Sequence, residues 1–500
     1  MKLISKIKAK LLEISEYGTS LEKINNRIDE AQNSLNKDIE LIENKIDILI
    51  SQQISNDEKS LYFSELLIKK VDDVNNNIEY VNKEVESNLK DESILSGIAV
   101  LESKVNNVTK NNTVNNNIKI LFLVNNINAW YALSSVIDEM KKNNIFEVII
   151  ASIHKKFPGE LTYSGESSVH EFFVEKKIEH IRLGMDDSYQ ALDIILAINP
   201  NVIFRQSQWD ADYPPALSSK ALSFTNLALI PYEIANIVKN VNHVGDIADS
   251  AVDSLFHRRC WRVYCSNDHV LSKAKKNGSM LARQFRVVGH PKIDYLLNLK
   301  PKWPFRNSNA KKILWSPHHS IDSGWTDFGL FPKIWEYMLM LLSNHPEIDF
   351  VFCPHPALIT QLESGVNVSE KFDFKRFIAD WEEKNNGFVY FGADYADTLA
   401  CSDVIITDGI SMLIEGQILG KEIIFIERQD HVDFNELGLA LKSGLHIIDE
   451  SDDLESILLK LIRKEIGSLT ENQIYNINKL FPHRNSYINI VNDIKSYFLN

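Results

Sequence analysis

Two textures of hydrophobic and polar positions divide the chain. Up to about residue 112, apolar positions recur at helical spacing: Leu67, Val71, Val74, Ile78, Val81 and Val85 lie 4, 3, 4, 3 and 4 residues apart, and Leu35, Ile39, Ile42, Ile46 and Leu49 repeat the pattern. This is the a/d seam of a coiled coil, which must bury itself against a second helix. An antiparallel hairpin and a parallel oligomer both satisfy it. The region holds no proline and no tryptophan, and its end, Lys110 to Asn117, is a polar tract that reads as a linker.

From Ile118 the pattern changes to short apolar, β-branched runs separated by helical stretches. The runs are IKILFLV (118–124), EVIIAS (147–152), NVIF (201–204), NLALI (226–230), RVYC (262–265) and FRVV (285–288). A second series is KILWS (312–316), DFVFC (349–353), FVYF (388–391), DVIIT (403–407) and EIIFI (422–426). Strands alternating with helices predict parallel sheets covered on both faces. The polar, Pro-bearing stretch 300–312 separates the two series. The expectation is an α/β protein: a helical coiled coil over 1–112, a Rossmann-like domain over 118–299 and a second over 311–500. Two doubly wound domains flanking a cleft are the layout known as GT-B.

Composition narrows the function. Among 500 residues the formal net charge is -14, which argues against binding nucleic acid through charge. Four cysteines, Cys260, Cys265, Cys353 and Cys401, form no CxxC pair, so reduced thiols are expected. No apolar run reaches the ~18 residues of a membrane span. The start MKLISKIKAKLLEI is an amphipathic segment, with Lys2, Lys6, Lys8 and Lys10 beside Leu3, Ile4, Ile7, Leu11 and Leu12. Residues 1–14 could rest on an anionic membrane surface, or simply begin the coiled coil. A cytoplasmic protein, peripheral at the inner face of a bacterial membrane, is the expectation.

The chemistry gathers at predicted strand ends. SPHH (316–319), CPHP (353–356) and TDGIS (407–411) each follow an apolar strand of the second series. In open α/β sheets, ligands bind at the carboxyl ends of the strands. Histidines there can donate to phosphate oxygens or protonate a leaving phosphate. Gly409, Ser411 and the amides at the following helix start suit an anion. Glu415, one turn further, is placed to reach a ribose hydroxyl. In the first series, Asp210 and Asp212 follow NVIF and could deprotonate an acceptor hydroxyl, or merely cap a turn before Pro214. No GxGxxG follows the first strand, where LVNNINAW stands instead, and there is no Walker A loop. No HExxH or comparable ligand spacing marks a metal site, and no cofactor is expected.

The run SDVIITDGISMLIEGQILGKEIIFI (402–426) resembles the C-terminal nucleotide-binding motif of the CDP-glycerol glycerophosphotransferases, the teichoic acid polymerase family. CPHP resembles that family's HP motif, ILWSPHHSI its strand and loop opening the second domain, and VVGHPKID (287–294) the segment closing the first. The likeness covers roughly residues 200–500. It implies a GT-B transferase that moves glycerol phosphate from CDP-glycerol to a cell-surface polysaccharide. It further implies His355 and Pro354 on the donor phosphates, Thr407, Asp408, Gly409 and Ser411 around the pyrophosphate, Glu415 on the ribose, and His318 or His319 near the reacting phosphate. The partners implied are a cytidine nucleotide donor and a glycan or lipid-linked glycan acceptor, with a homo-oligomer or partner protein on the coiled coil. The family's His-Gly-Thr-Pro motif has no counterpart: NLALIPYEIANIVKN (226–240) carries Pro231 and Tyr232 there. HP and Asp-Gly motifs also resemble those of bacterial sialyltransferases and Kdo transferases, which use CMP-sugars. A third reading is a non-catalytic coiled-coil assembly protein.

Overall fold

The computed structural model describes residues 117–499 apart from 157–161, 240–248, 304, 306–308, 322–325, 365–367, 369–371, 393–394 and 451–452. The amphipathic start, both heptad runs and nearly all of the polar linker lie outside the described residues.

Each apolar run becomes a strand, because a run buried on both faces is stable only inside a covered parallel sheet. The first domain holds β1 (Ile118–Val124), β2 (Phe146–Ile153), β3 (Ile181–Leu183), β4 (Val202–Arg205), β5 (Asn226–Leu229), β6 (Arg262–Cys265) and β7 (Phe285–Val287). Their order is β3-β2-β1-β4-β5-β6-β7, and every pairing is parallel. The second domain holds β8 (Lys311–Ser316), β9 (Ile348–Phe352), β10 (Gly387–Val389), β11 (Val404–Thr407), β12 (Glu422–Glu427) and β13 (His446–Asp449), in the order β10-β9-β8-β11-β12-β13, again all parallel. The edge strands β3 and β13 were not among the predicted runs.

Alternate residues along β1 feed two cores. Phe122 and Val124 pack with Trp130 and Phe173 on one face, and Leu121 and Leu123 with Leu192 and Leu217 on the other. The second sheet repeats the arrangement: Leu314 and Ile405 face one way, Trp315 and Ile406 the other.

The chain returns to the first domain at its end. Ile490, Val491 and Ile494 of the helix Ser486–Leu499 belong to the core around Phe122. Asp493 of that helix accepts from Arg262 Nε at 2.8 Å and from the Tyr264 hydroxyl at 3.0 Å, both on β6. Its start is capped by Asp294, which accepts from the amides of Asn485 (2.9 Å) and Ser486 (2.7 Å) and from the Ser486 hydroxyl. Among the described residues, no helix is long and apolar enough to cross a membrane.

Candidate active site in the interdomain cleft

Registration of the second sheet brings the histidines together. Thr407 pairs with Ser316, and Trp315 with Phe352, so β8, β9 and β11 end on one line. Past those ends the imidazoles stack: His319 lies 4.3 Å from His318 and 4.2 Å from His355, centroid to centroid. Backbone bonds fix the loops. The Thr407 hydroxyl donates to the Ser316 carbonyl at 2.7 Å and accepts from the Gly409 amide at 2.8 Å. The His355 amide donates to the Pro317 carbonyl at 3.1 Å.

Asp408 serves this frame. One carboxylate oxygen accepts from the His318 amide at 2.6 Å, the other from the Leu330 amide at 2.5 Å. Burial lifts its carboxyl to about 7 against those two amides. It holds the His318 loop, and both its oxygens are already engaged by backbone amides. Gly409 begins the helix Ile410–Ile418, and a β-carbon there would press on the Thr407 hydroxyl at 3.2 Å. Ser411 is exposed in the first turn.

Hydrogen bonds set the tautomers. The Ala357 amide donates to His355 Nδ1 at 3.1 Å, and His318 Nδ1 pairs with the Ser320 hydroxyl at 2.7 Å, whose oxygen in turn accepts from the Phe328 amide. Each ring thus carries its hydrogen on Nε2. Burial pushes all three imidazoles down, His319 to about 4. For His355 the further causes are His319 and Lys155. At neutral pH these rings are neutral N–H donors, and a bound phosphate would raise their basicity.

Lys155 stands just past β2, in the first domain. Its charge acts both on His355 of the second domain and on Asp212, so the two sheet edges face one another there. Asp212 is half-buried and its carboxyl is raised by burial, against the Ser207 hydroxyl that donates to it at 3.2 Å. Asp210 differs. Burial would raise it, but the Arg205 charge and the bonds from Ser219 outweigh that and hold it below the usual carboxylate range. It sits 2.6 Å from the fully buried Arg205 guanidinium and accepts from the Ser219 hydroxyl at 2.5 Å and amide at 2.8 Å. A carboxylate so engaged is a weaker base than Asp212, the other acid expected to act there.

Glu415 is also engaged. Lys292 Nζ lies 2.5 Å from one of its oxygens and the Tyr395 hydroxyl donates to the other at 2.6 Å, in a buried group. Lys292 belongs to VVGHPKID, so this is a tie between domains, and a ribose contact by Glu415 would have to compete with it. In the same motif His290 Nε2 bonds the Pro231 carbonyl at 2.9 Å.

Two residues escaped sequence reading. Lys155 had a signal in the basic triplet His154–Lys156 directly after a predicted strand. Glu233, four residues past β5, stands half-buried near the position where the family's histidine motif was sought.

No protein-family profile matches the sequence, and no curated protein matches it. Solved structures do. The UDP-GlcNAc 2-epimerase of Neisseria meningitidis, bound to UDP-GlcNAc, superposes with a TM-score of 0.53 at 14% identity, covering 76% of this chain and 100% of that one. The chain has the GT-B fold. The MnaA–UDP structure of S. aureus matches with a TM-score of 0.50 at 12% identity, over 76% of this chain and 96% of that one. The wall teichoic acid polymerase TagF matches at 12% identity and a TM-score of 0.48, over 81% of this chain and 99% of that one. The two parallel sheets of this GT-B chain present their carboxyl edges to one cleft, with the histidine cluster on one side and Lys155 on the other.

Proposed function

We propose that this chain is a GT-B transferase that moves an activated group from a nucleotide donor to a hydroxyl of a cell-surface polysaccharide, with glycerol phosphate from CDP-glycerol as the best reading. The observation that carries it is the convergence of His318, His319 and His355 with the Thr407–Ser411 turn at one sheet edge, opposite Lys155. Neutral N–H donors, helix-start amides and one lysine form a cradle for phosphate.

In this reading a carboxylate of the first domain takes the proton of the acceptor hydroxyl. The hydroxyl oxygen attacks the β-phosphorus, the bridging P–O bond breaks, and CMP leaves with the electron pair. His355, His319 and the amides beyond Thr407 stabilise the charge that develops on CMP, so catalysis is mainly positioning and electrostatics. A CMP-sugar donor would use the same cradle but break the sugar C–O bond. A UDP-sugar reading is favoured by the epimerases of this fold, whose structures hold UDP-GlcNAc or UDP. Residues 1–112 would serve to oligomerise the enzyme or dock it near its acceptor, with residues 1–14 on an anionic membrane surface.

The test is a thermal-shift panel of CDP, CMP, UDP, GDP and ADP on the full chain. A ligand that binds the folded state raises its melting temperature by mass action. CDP as the strongest stabiliser supports glycerol phosphate transfer, CMP selects a CMP-sugar, and UDP selects a UDP-sugar. A panel without any shift removes the nucleotide reading.

A further inference from the structure

A small cavity of about 40 Å³, with a mouth open to solvent, lies in the first domain at the carboxyl ends of β4, β5 and β6. Its floor is apolar, with Leu229, Val252, Val263 and Phe285. Polar groups converge on it from three elements. Ser266, just past β6, is 2% exposed, and its hydroxyl has no hydrogen-bond partner among the described residues. Gln208, past β4, is 5% exposed and also lines the cavity. Glu233, past β5, completes the set. Buried polar atoms are nearly always paired, so an idle hydroxyl lining a cavity marks a place for a ligand.

The charges around the cavity decide what kind. Lys273 is held by Asp249 at 2.8 Å. His269 faces Glu436 of the second domain at 3.8 Å. Burial keeps His257 neutral, at about 4, with Nδ1 engaged by Ser254, and keeps the Cys265 thiol protonated, at about 12. His290 turns its ring to the Pro231 carbonyl. Among the described residues lining the cavity, Glu233 stands in no salt bridge, although Lys273 acts on it, and its charge repels phosphate or carboxylate. Sugar or polyol hydroxyls, which both donate and accept, match Ser266, Gln208 and Glu233 on an apolar floor.

The cavity lies on the same carboxyl edge of the first sheet as the cleft residues: Glu233 follows β5, Asp212 follows β4 and Lys155 follows β2. Tyr232, beside Glu233, lies in the field of both Glu233 and Asp212, and Asp212 shares Lys155 with His355. We propose that this cavity holds a neutral, hydroxyl-bearing unit of the acceptor, and that the Glu233 carboxylate takes the proton of the attacking hydroxyl. This deepens the transferase reading and rests on it for the second step. The hydroxyl O–H bond breaks, its proton passes to Glu233, the new bond forms to the donor's reacting atom, and the nucleotide leaves with the electron pair. Burial raises the Glu233 carboxyl to about 7, with Lys273 acting against it, so the group ionises within reach of neutral pH.

The experiment is saturation-transfer NMR on the full chain with N-acetylglucosamine, glycerol and, as anionic probe, glycerol 3-phosphate, at pH 5.5 and pH 8 and without nucleotide. Binding of a neutral probe is expected in the wild type, roughly tenfold tighter at pH 8, when the carboxylate is ionised. Ser266→Ala should weaken it about fivefold, and Glu233→Gln should remove the pH dependence while the melting temperature shows a folded protein. Absence of neutral-probe binding in the wild type, binding indifferent to both variants, or preference for glycerol 3-phosphate overturns the assignment. Failure of the donor reading is seen separately: neutral probes bind but no nucleotide shifts the melt. With the donor that the nucleotide panel selects, Glu233→Gln should lower kcat at least ~10²-fold and Asp212→Asn much less; the reverse ranking moves the proton acceptor to Asp212.

Discussion

His355 and Glu233 show what one position past a strand end can and cannot reveal in sequence. The histidine was legible because an apolar run stopping at Cys-Pro-His leaves few other places for the ring. Its neutral state was not, since that follows from burial and from its neighbours His319 and Lys155. As a neutral donor with Nδ1 occupied, His355 offers Nε2–H to charge that grows on a departing phosphate. His355→Ala should therefore reduce turnover at least ~10²-fold, the usual scale for a lost charge-stabilising group. The circular dichroism and melting temperature should stay near wild type; unchanged turnover would remove His355 from the site. Asp210 reads in sequence as an available carboxylate after a strand, and its pairing is not legible there. Its partner Arg205 is the last residue of that strand, buried and stacked 3.5 Å over Tyr213.

Glu233 makes a second prediction that needs no substrate. Its folded pKa of about 7 lies above the ordinary carboxyl value of 4.5. The folded state therefore holds the proton more tightly than the unfolded chain. Stability from this group is fully present below pH 4.5 and is lost as pH rises through about 7. Glu233→Gln, which never ionises, should match the wild type near pH 4.5 and exceed it at pH 8. Allowing for partial exposure, the gain is about 2 kcal/mol. Urea midpoints at the two pH values read it, and equal differences at both would refute the buried carboxyl.

At the scale of elements, the interior strands were legible because a strand covered on both faces is a continuous apolar run. Two of the four edge strands were not: β3 reads IRL and β13 HIID, with too little apolar content to stand out. Motifs were legible as motifs but not as parts. VVGHPKID resembles a family segment, yet each of its polar side chains is spent on structure. His290 reaches Pro231, Lys292 reaches Glu415 and Tyr395, and Asp294 caps the last helix. Buried ion pairs respond asymmetrically to substitution. Lys292→Met alone should destabilise the fold by about 3 to 5 kcal/mol, because Glu415 is left charged and buried. The double variant Lys292→Met/Glu415→Leu should recover most of that loss, and a double-mutant cycle in urea measures the coupling. If the double variant keeps the wild-type nucleotide affinity, Glu415 belongs to the domain tie; a lost affinity would return it to the ribose.

For the whole molecule, the sequence predicted two domains joined by one linker at 300–312, and a hinged cleft follows from that layout. The structure adds a second crossing, since the helix Ser486–Leu499 packs into the first core. This was not legible, because an amphipathic helix carries no sign of which sheet it covers. Several links among the described residues span the domains, among them the Lys292–Glu415 pair, the Asp294 cap on Ser486, and the antiparallel bridge of Val238 with Phe434. Asp294 donates nothing to the cleft, yet it fixes where the chain turns back. With both crossings intact, the two Rossmann-like domains should unfold together, as one calorimetric transition whose van't Hoff and calorimetric enthalpies agree. Asp294→Ala removes the acceptor of two amides and a hydroxyl at the turn, which releases the last helix from the first core. The transition should then broaden or divide, with the first domain melting earlier, and nucleotide should raise only the later component. A single sharp transition in Asp294→Ala would mean that the linker and the remaining links, the Lys292–Glu415 pair and the Val238–Phe434 bridge among them, suffice to couple the domains.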